Sequence, residues 1–265
     1  MTIEFDRRAL IAGFGSFALG ATLIPGAARA ASAGEILAAT DRLRNPQQSF
    51  RSQITITEYI GGRKNDEMAI TVYSKPRPSD GQFRSIVHID APRKDAGKLM
   101  LRDGKDLYFY DPDAANTIRI SPQQRLLGQA SNGDVMTTNF SRDYRADLAG
   151  TETVEDARKA QRNCYKLKLK ASNKAAVYGS IDYWVDAKSM HPVKGRFHSS
   201  SGRLMKIAFY DEYRQTMGAL RPTKASIIDG LDTSKVTVMR FAKFTAVDLP
   251  DAWFQKSYLP RFRKS

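Results

Sequence analysis

Three histidines, one cysteine and a cluster of aspartates are the side chains here whose types could do chemistry. His88, His191 and His198 all fall in strand-like runs. His191 and His198 stand on opposite faces of a straight strand, and no ligand spacing joins the histidines into a metal site. Cys164 is the only cysteine, so no internal disulfide can form. Set in an alternation of lysines and apolar residues, it reads as a small packing residue and not a nucleophile. No serine stands in a Gly-x-Ser-x-Gly turn. Asp106, Asp111, Asp113, Asp134, Asp143 and Asp147 could in principle supply an acid and base pair. Asp111 and Asp113, however, flank Pro112 in a turn, and Asp143 lies near the start of a short helical pattern, where carboxylates serve structure. Gly104, Gly128 and Gly133 are too far apart to cradle a phosphate. The expectation is a protein that is not an enzyme and carries no metal and no cofactor.

What the chain supplies in quantity is apolar surface on strands. The run "GEILAATDRLRNPQQ" sets Ile36, Leu37 and Leu43 at helical spacing and stops at Asn45-Pro46, which predicts one amphipathic helix. From Phe50 the period becomes two. Ile54 and Ile56 alternate with threonines, "GGRKND" turns the chain, and Met68, Ile70 and Val72 alternate on the way back. Phe83, Val87 and Ile89 then share one face, with Arg84, Ile86 and His88 on the other. The pattern continues through "KLMLR", "DLYFY" and "TIRIS", where Leu107 and Phe109 oppose Tyr108 and Tyr110.

The middle of the chain, "PQQRLLGQASNGDVMTTNFSRDYRADLAG", has no alternation, and only Pro122 to Leu127 and Ser141 to Leu148 suit short helical turns. Loops of this length in a compact domain are usually functional or mobile. Strands resume at "NCYKLKLKAS", with lysines on one face, and continue through "SIDYWVDA", "HPVKGRFHSS", "GRLMKIAFYDEYRQ", "LRPTKASIIDG" and "KVTVMRFAKFTAV". The chain closes with a short helical turn and a basic tail. About ten strands with no βαβ alternation predict a mainly β (α+β) domain, an antiparallel sheet or open barrel with a few helices.

Residues 1–30 combine the Arg7-Arg8 pair, an apolar stretch to about Ile24 and small residues around Ala30. They read as a cleaved export signal of twin-arginine type, which leaves residues 31–265 as a single domain in the periplasm. Against 28 acidic residues stand 42 lysines and arginines, a net charge of +14. Such a surplus fits a solubilising surface or attraction to anionic lipid or an acidic membrane protein, while export argues against nucleic acid.

An ordered set of features resembles the LolA-like outer-membrane lipoprotein-sorting proteins. It comprises Pro92, Gly97, the aromatic run Leu107 to Pro112, Arg119-Ile120, Gly133-Asp134 and Phe140 to Tyr144, followed by Trp184 and Asp186 ahead of two long strands. The resemblance covers most of the chain after residue 30. It implies a half-open antiparallel barrel whose short helices form a lid over a hydrophobic cavity for acyl chains of a lipid or lipoprotein. It also implies an inner-membrane exporter of the resistance-nodulation-division type, or an outer-membrane acceptor, as partner to a monomeric carrier. The extended central loop, and tyrosine where tryptophan is common in "LYFY", point to lipid over lipoprotein.

The acyl-contacting residues expected on this basis are Ile54, Ile56, Met68, Ile70, Val72, Phe83, Val87, Ile89, Leu101, Leu107 and Phe109 in the first half, with Trp184 and Phe209 in the second. Leu126 to Phe140 is expected to be the lid, with Leu126, Leu127, Met136 and Phe140 on the cargo. Two other readings stay open: an envelope sensor that binds a lipidated ligand and a regulator, and a hydrolase, for which a nucleophile with a base is missing.

Overall fold

The first described element begins with a capping box. The computed structural model describes residues 31–264, and the expected export signal lies outside the described residues. Ser32 Oγ accepts from the Glu35 amide at 3.3 Å while the Ser32 amide donates to the Glu35 carboxylate at 2.7 Å, which starts helix α1, Ala33–Arg44. The helix buries Ile36, Leu37, Thr40 and Asp41, so the predicted amphipathic helix is present. Its last carbonyls, Arg42 and Leu43, accept from the buried Arg221 guanidinium at 2.9 and 2.7 Å.

A meander of six strands follows: β1 (Phe50–Ile60), β2 (Arg63–Pro76), β3 (Phe83–Ala91), β4 (Leu99–Asp103), β5 (Asp106–Asp111) and β6 (Asn116–Arg119). Residues 120–143 then cross the sheet, carrying a small hairpin of β7 (Arg125–Leu127) and β8 (Ala130–Ser131) and the one-turn helix α2 (Phe140–Asp143). A second meander returns from the far edge: β9 (Tyr144–Glu155), β10 (Gln161–Ala171), β11 (Ser180–Asp186), β12 (Pro192–His198), β13 (Leu204–Thr216), β14 (Ala219–Asp229) and β15 (Lys235–Ala246). Strand β15 pairs with β1, Ile54 opposite Phe241 and Ile56 opposite Met239, to make one antiparallel sheet of 13 strands ordered β6-β5-β4-β3-β2-β1-β15-β14-β13-β12-β11-β10-β9.

Two expectations are corrected. The sheet has 13 strands where about ten were expected, and it is not closed: β6 and β9 are its two edges and do not pair with each other, so the half-open barrel is an open sheet. The strand absent from the sequence reading is β9, which is exposed along nearly its whole length and so carries no apolar alternation. The predicted helical turns also differ. Arg125–Leu127 is extended because it pairs with β8 across Gly128. The helix at 141–148 is confined to Phe140–Asp143, because from Tyr144 onward the backbone pairs with β10.

The two faces of the sheet carry different loads. The inner face bears the main core, where Ile36 and Leu37 of α1 and Val135, Met136 and Phe140 of the crossing segment meet strand residues such as Ile56, Ile70, Val87, Leu167 and Ile227. On the outer face Tyr73, Ile86, Leu99, Leu101 and Tyr110 are covered by Leu249, Phe254, Leu259 and Phe262. The expected C-terminal helical turn is thus two 3-10 turns, Asp251–Phe254 and Lys256–Arg261, packed on the first meander. Among the described residues no helix is long and apolar enough to cross a membrane.

Candidate functional site

An apolar cavity of about 130 Å³ lies on the inner face, centred on the seam between the two meanders. Strand β1 contributes Phe50, Ser52 and Ile54, and β2 contributes Val72. Strands β13, β14 and β15 contribute Ala208 and Tyr210, Ala225 and Ile227, and Met239 and Phe241. The roof is the crossing segment, with Val135, Met136, Thr137, Thr138 and Phe140. Space exists there because two neighbouring strands place alanines inward: Ala225 stands opposite Tyr210 on β13 and opposite Met239 on β15, and Ala208 opposite Ile227.

The roof is fixed by polar contacts along both margins. At one end Asp41 of α1 accepts from the amides of Phe140 and Ser141 at 3.0 and 2.7 Å, which satisfies the free donors at the start of α2. Arg44 pairs with Asp41 at 3.0 Å, donates to the Thr138 carbonyl and lies 3.9 Å from the Phe140 ring centre. Gln82 and Asn45 bond the backbone of Thr138 and Asn139. At the other end Lys206 of β13, 5% exposed, bonds the Asp134 carboxylate and the Gln129 carbonyl. Asp134 also accepts from the Ser131 amide and hydroxyl at 2.7 and 2.9 Å and from the Tyr178 hydroxyl at 2.6 Å. A buried ion pair needs such additional partners to offset desolvation. Burial, reinforced by Asp134, pushes the Tyr178 hydroxyl well above its ordinary range, and burial does the same to Tyr183. Both phenols are therefore neutral; the Tyr178 hydroxyl is hydrogen-bonded, whereas that of Tyr183 is buried without a hydrogen-bond partner among the described residues.

The expected acyl-contacting residues are distributed unevenly around this cavity. Ile54, Val72, Met136 and Phe140 line it. Ile56, Met68, Ile70, Val87, Ile89 and Leu107 belong to the same inner core without reaching the cavity, and Phe109, Leu126 and Leu127 pack against that core. Phe83 lies one layer back, its ring 6.0 Å from Phe50. Three residues are on the outer face and are corrected. Leu101 packs under the C-terminal turns, because its neighbour Met100 takes the inward position. Trp184 packs with Cys164 and Val193 and donates to Glu152 at 2.5 Å, while Tyr183 and Val185 point inward. Phe209 lies 5.2 Å from Lys194, while its neighbours Ala208 and Tyr210 line the cavity.

Sequence reasoning missed Phe50, Ala208, Tyr210, Ala225, Met239 and Phe241. In "KIAFY" the larger apolar side chains point outward and the inward positions hold lysine, alanine and tyrosine, so size misdirects the choice of face. The available signal was the period-two frame of β13 and β14 with alanines in matching inward positions. Of the groups that could do chemistry, Cys164 is buried and His191 Nε2 donates to the Leu220 carbonyl at 2.8 Å, both away from the cavity. Among the described residues no three His, Cys, Asp or Glu side chains converge to hold a metal ion.

A family model whose description reads "-like: Uncharacterized protein" matches residues 81–261. The chain matches no curated protein. Among solved structures, the LolA superfamily protein NE2245 from Nitrosomonas europaea is 33% identical, with 86% of this chain and 100% of that chain covered at a TM-score of 0.77. A DUF1329 family protein from Desulfovibrio piger has 22% identity over 86% of this chain and 97% of its own, with a TM-score of 0.72. A domain from Vibrio parahaemolyticus, described as of the outer membrane lipoprotein-sorting kind, has 17% identity over 86% of this chain and 98% of its own, with a TM-score of 0.69. These last two share the fold.

Proposed function

Because the chain belongs to the LolA superfamily, we propose that it is a periplasmic carrier that takes an acyl chain of a lipid or lipoprotein into the inner-face cavity. The observation that carries this reading is the cavity itself, apolar in its walls and roofed by a segment that meets the sheet through side chains. The carrier moves its cargo between an inner-membrane partner, of the resistance-nodulation-division exporter type, and the outer membrane. The crossing segment serves as its lid, and the protein performs no catalysis.

The energetics suit a handover. Burying about ten methylenes at ~0.8 kcal/mol each yields ~8 kcal/mol, micromolar affinity before ordering costs. Binding of that strength is reversible. A cavity of about 130 Å³ compares with the ~150 Å³ apolar cavity that takes one benzene. A longer chain therefore requires the roof over residues 133–140 to move outward, and loading is coupled to that motion.

Native mass spectrometry of protein purified gently from its own periplasm tests the reading. The expected result is a bound lipid of defined mass. Protein that is empty, and that takes up no lipid offered to it, overturns the carrier function.

A further inference from the structure

A second cleft, of about 250 Å³, adjoins the apolar cavity, and its walls mix Leu204, Met205 and Leu231 with a larger set of polar side chains. Tyr178 and Lys206 line both, one side of each facing the apolar space and the other the cleft. Its remaining polar lining is Gln123, Arg125 of β7, Gln129 in the turn before β8, Ser131 of β8, Arg203 just before β13, and Asp229. Arg125 and Arg203 are exposed and enter no ion pair among the described residues. Gln129 is only 9% exposed, yet its Nε2 amide has no hydrogen-bond partner.

A buried donor without an acceptor is costly and calls for a ligand that supplies one. The charges around it say which kind. Lys206 is already matched by Asp134, and Asp229 is turned to its own loop, where it accepts from the amides of Leu231 and Asp232 at 2.8 and 2.9 Å. Two unmatched guanidiniums and one free amide donor remain, against one carboxylate already engaged. That is a site for an anion with several acceptor oxygens, of which a phosphate ester is the chemical type that guanidinium forks suit best.

We propose that this cleft binds the anionic, phosphate-bearing head group of the amphiphile whose acyl chain occupies the neighbouring cavity. The assignment rests on the carrier reading and narrows its cargo to anionic lipids. It also gives the shared wall a purpose. Tyr178 presents ring to the acyl side and, through its hydroxyl, belongs to the polar network, so it marks the boundary between chain and head group.

The test compares two single-chain lipids below their aggregation concentrations by titration calorimetry: 1-palmitoyl lysophosphatidate and 1-palmitoyl glycerol, which share the acyl chain and differ in the phosphate. Inorganic phosphate is titrated as a third ligand. The wild-type chain is expected to bind the lysophosphatidate at least about tenfold more tightly, the effect of one charge-assisted hydrogen bond. In the Arg125→Gln/Arg203→Gln variant that preference should fall below about twofold, with palmitoyl glycerol bound as before. Both substitutions are at exposed positions, so the fold is retained. Binding of palmitoyl glycerol without preference in the wild type, or a preference that survives in the variant, overturns the head-group site alone. Failure to bind either lipid overturns the carrier reading with it. Inorganic phosphate bound as tightly as the lysophosphatidate identifies a free-phosphate site and overturns the link to cargo.

Discussion

Filling the cavity from its floor is the most direct test of where cargo sits, and Ala225→Phe does so. Ala225 is 7% exposed, lies on β14 between Tyr210 and Met239, and points into the space under Met136 and Phe140. The cavity, about 130 Å³, is close in size to one that holds a single benzene, so a phenyl ring at this position occupies what an acyl chain would use. About six carbons fit there, worth ~5 kcal/mol at ~0.8 kcal/mol per methylene. Part of that loss is recovered if cargo displaces the roof elsewhere, so a dissociation constant weaker by at least about a hundredfold is expected. Stability should change little, because the overpacking penalty of ~1–3 kcal/mol is opposed by burial of the new ring. Displacement of a fluorescent fatty acid measures the affinity, and urea unfolding measures the stability. Ile118→Phe, at a half-exposed position on the edge strand β6, serves as control and should bind as wild type. A cooperatively folded Ala225→Phe protein whose affinity lies within about threefold of the wild type would refute the location of the site.

Three further outcomes follow from side chains away from the cavity. Burial, aided by the nearby Asp186 carboxylate, pushes the Cys164 thiol up to about 12, so a disulfide reagent at pH 8 should label it only after denaturant is added; rapid labelling of the native protein contradicts this. Gly128 holds φ at +53°, and an added Cβ would strike Thr237 Oγ1 and reach Glu58 Cγ at 3.0 Å, so Gly128→Ala should cost about 1–3 kcal/mol in urea unfolding, and an unchanged midpoint counts against it. Burial opposes ionisation of Asp90, but hydrogen bonds from Lys264, Thr71 and His88 outweigh it and hold its carboxyl below the ordinary value; Asp251 is lowered by Arg84 and then Lys75. A carboxyl depressed in the folded state stabilises above its unfolded pKa of ~4, and that stabilisation is lost as pH falls through the folded value. The C-terminal turns should therefore loosen below about pH 4, read by Trp253 emission in a Trp184→Phe background, and emission constant to pH 3 in protein that stays folded excludes it.

Most of the sheet was legible because burial on one face writes a period of two, as in Ile54, Ile56 and then Met68, Ile70, Val72. The helix was legible from Ile36 and Leu37 with Asn45-Pro46 as its stop. Strand β9 was not, since a strand at an exposed edge is held by its backbone bonds to β10 and leaves no apolar mark. Leu107 and Phe109 face the inner core and Tyr108 and Tyr110 the outer one, yet Leu107 and Phe109, expected at the cavity, pack the core at a distance from it. The cavity escaped for a different reason. It forms where β15 meets β1, a pairing of segments far apart in the chain, and it is open because Ala208 and Ala225 are small. Large apolar side chains draw the eye toward a site, whereas here the space is made by their absence.

The seam between β1 and β15 also fixes the order in which the molecule can be assembled. Every other neighbouring pair in the sheet is consecutive in the chain, so each meander can zip up from local hairpins, while the seam must close a loop of nearly the whole chain. The cavity takes its walls from both meanders and its roof from the segment between them, so no half-folded intermediate possesses it. On the proposed carrier function, cargo would bind only the finished protein and, by mass action, stabilise that state over every earlier one. Loading would then act as a check on completed folding, and unloading would return the chain to its lower intrinsic stability.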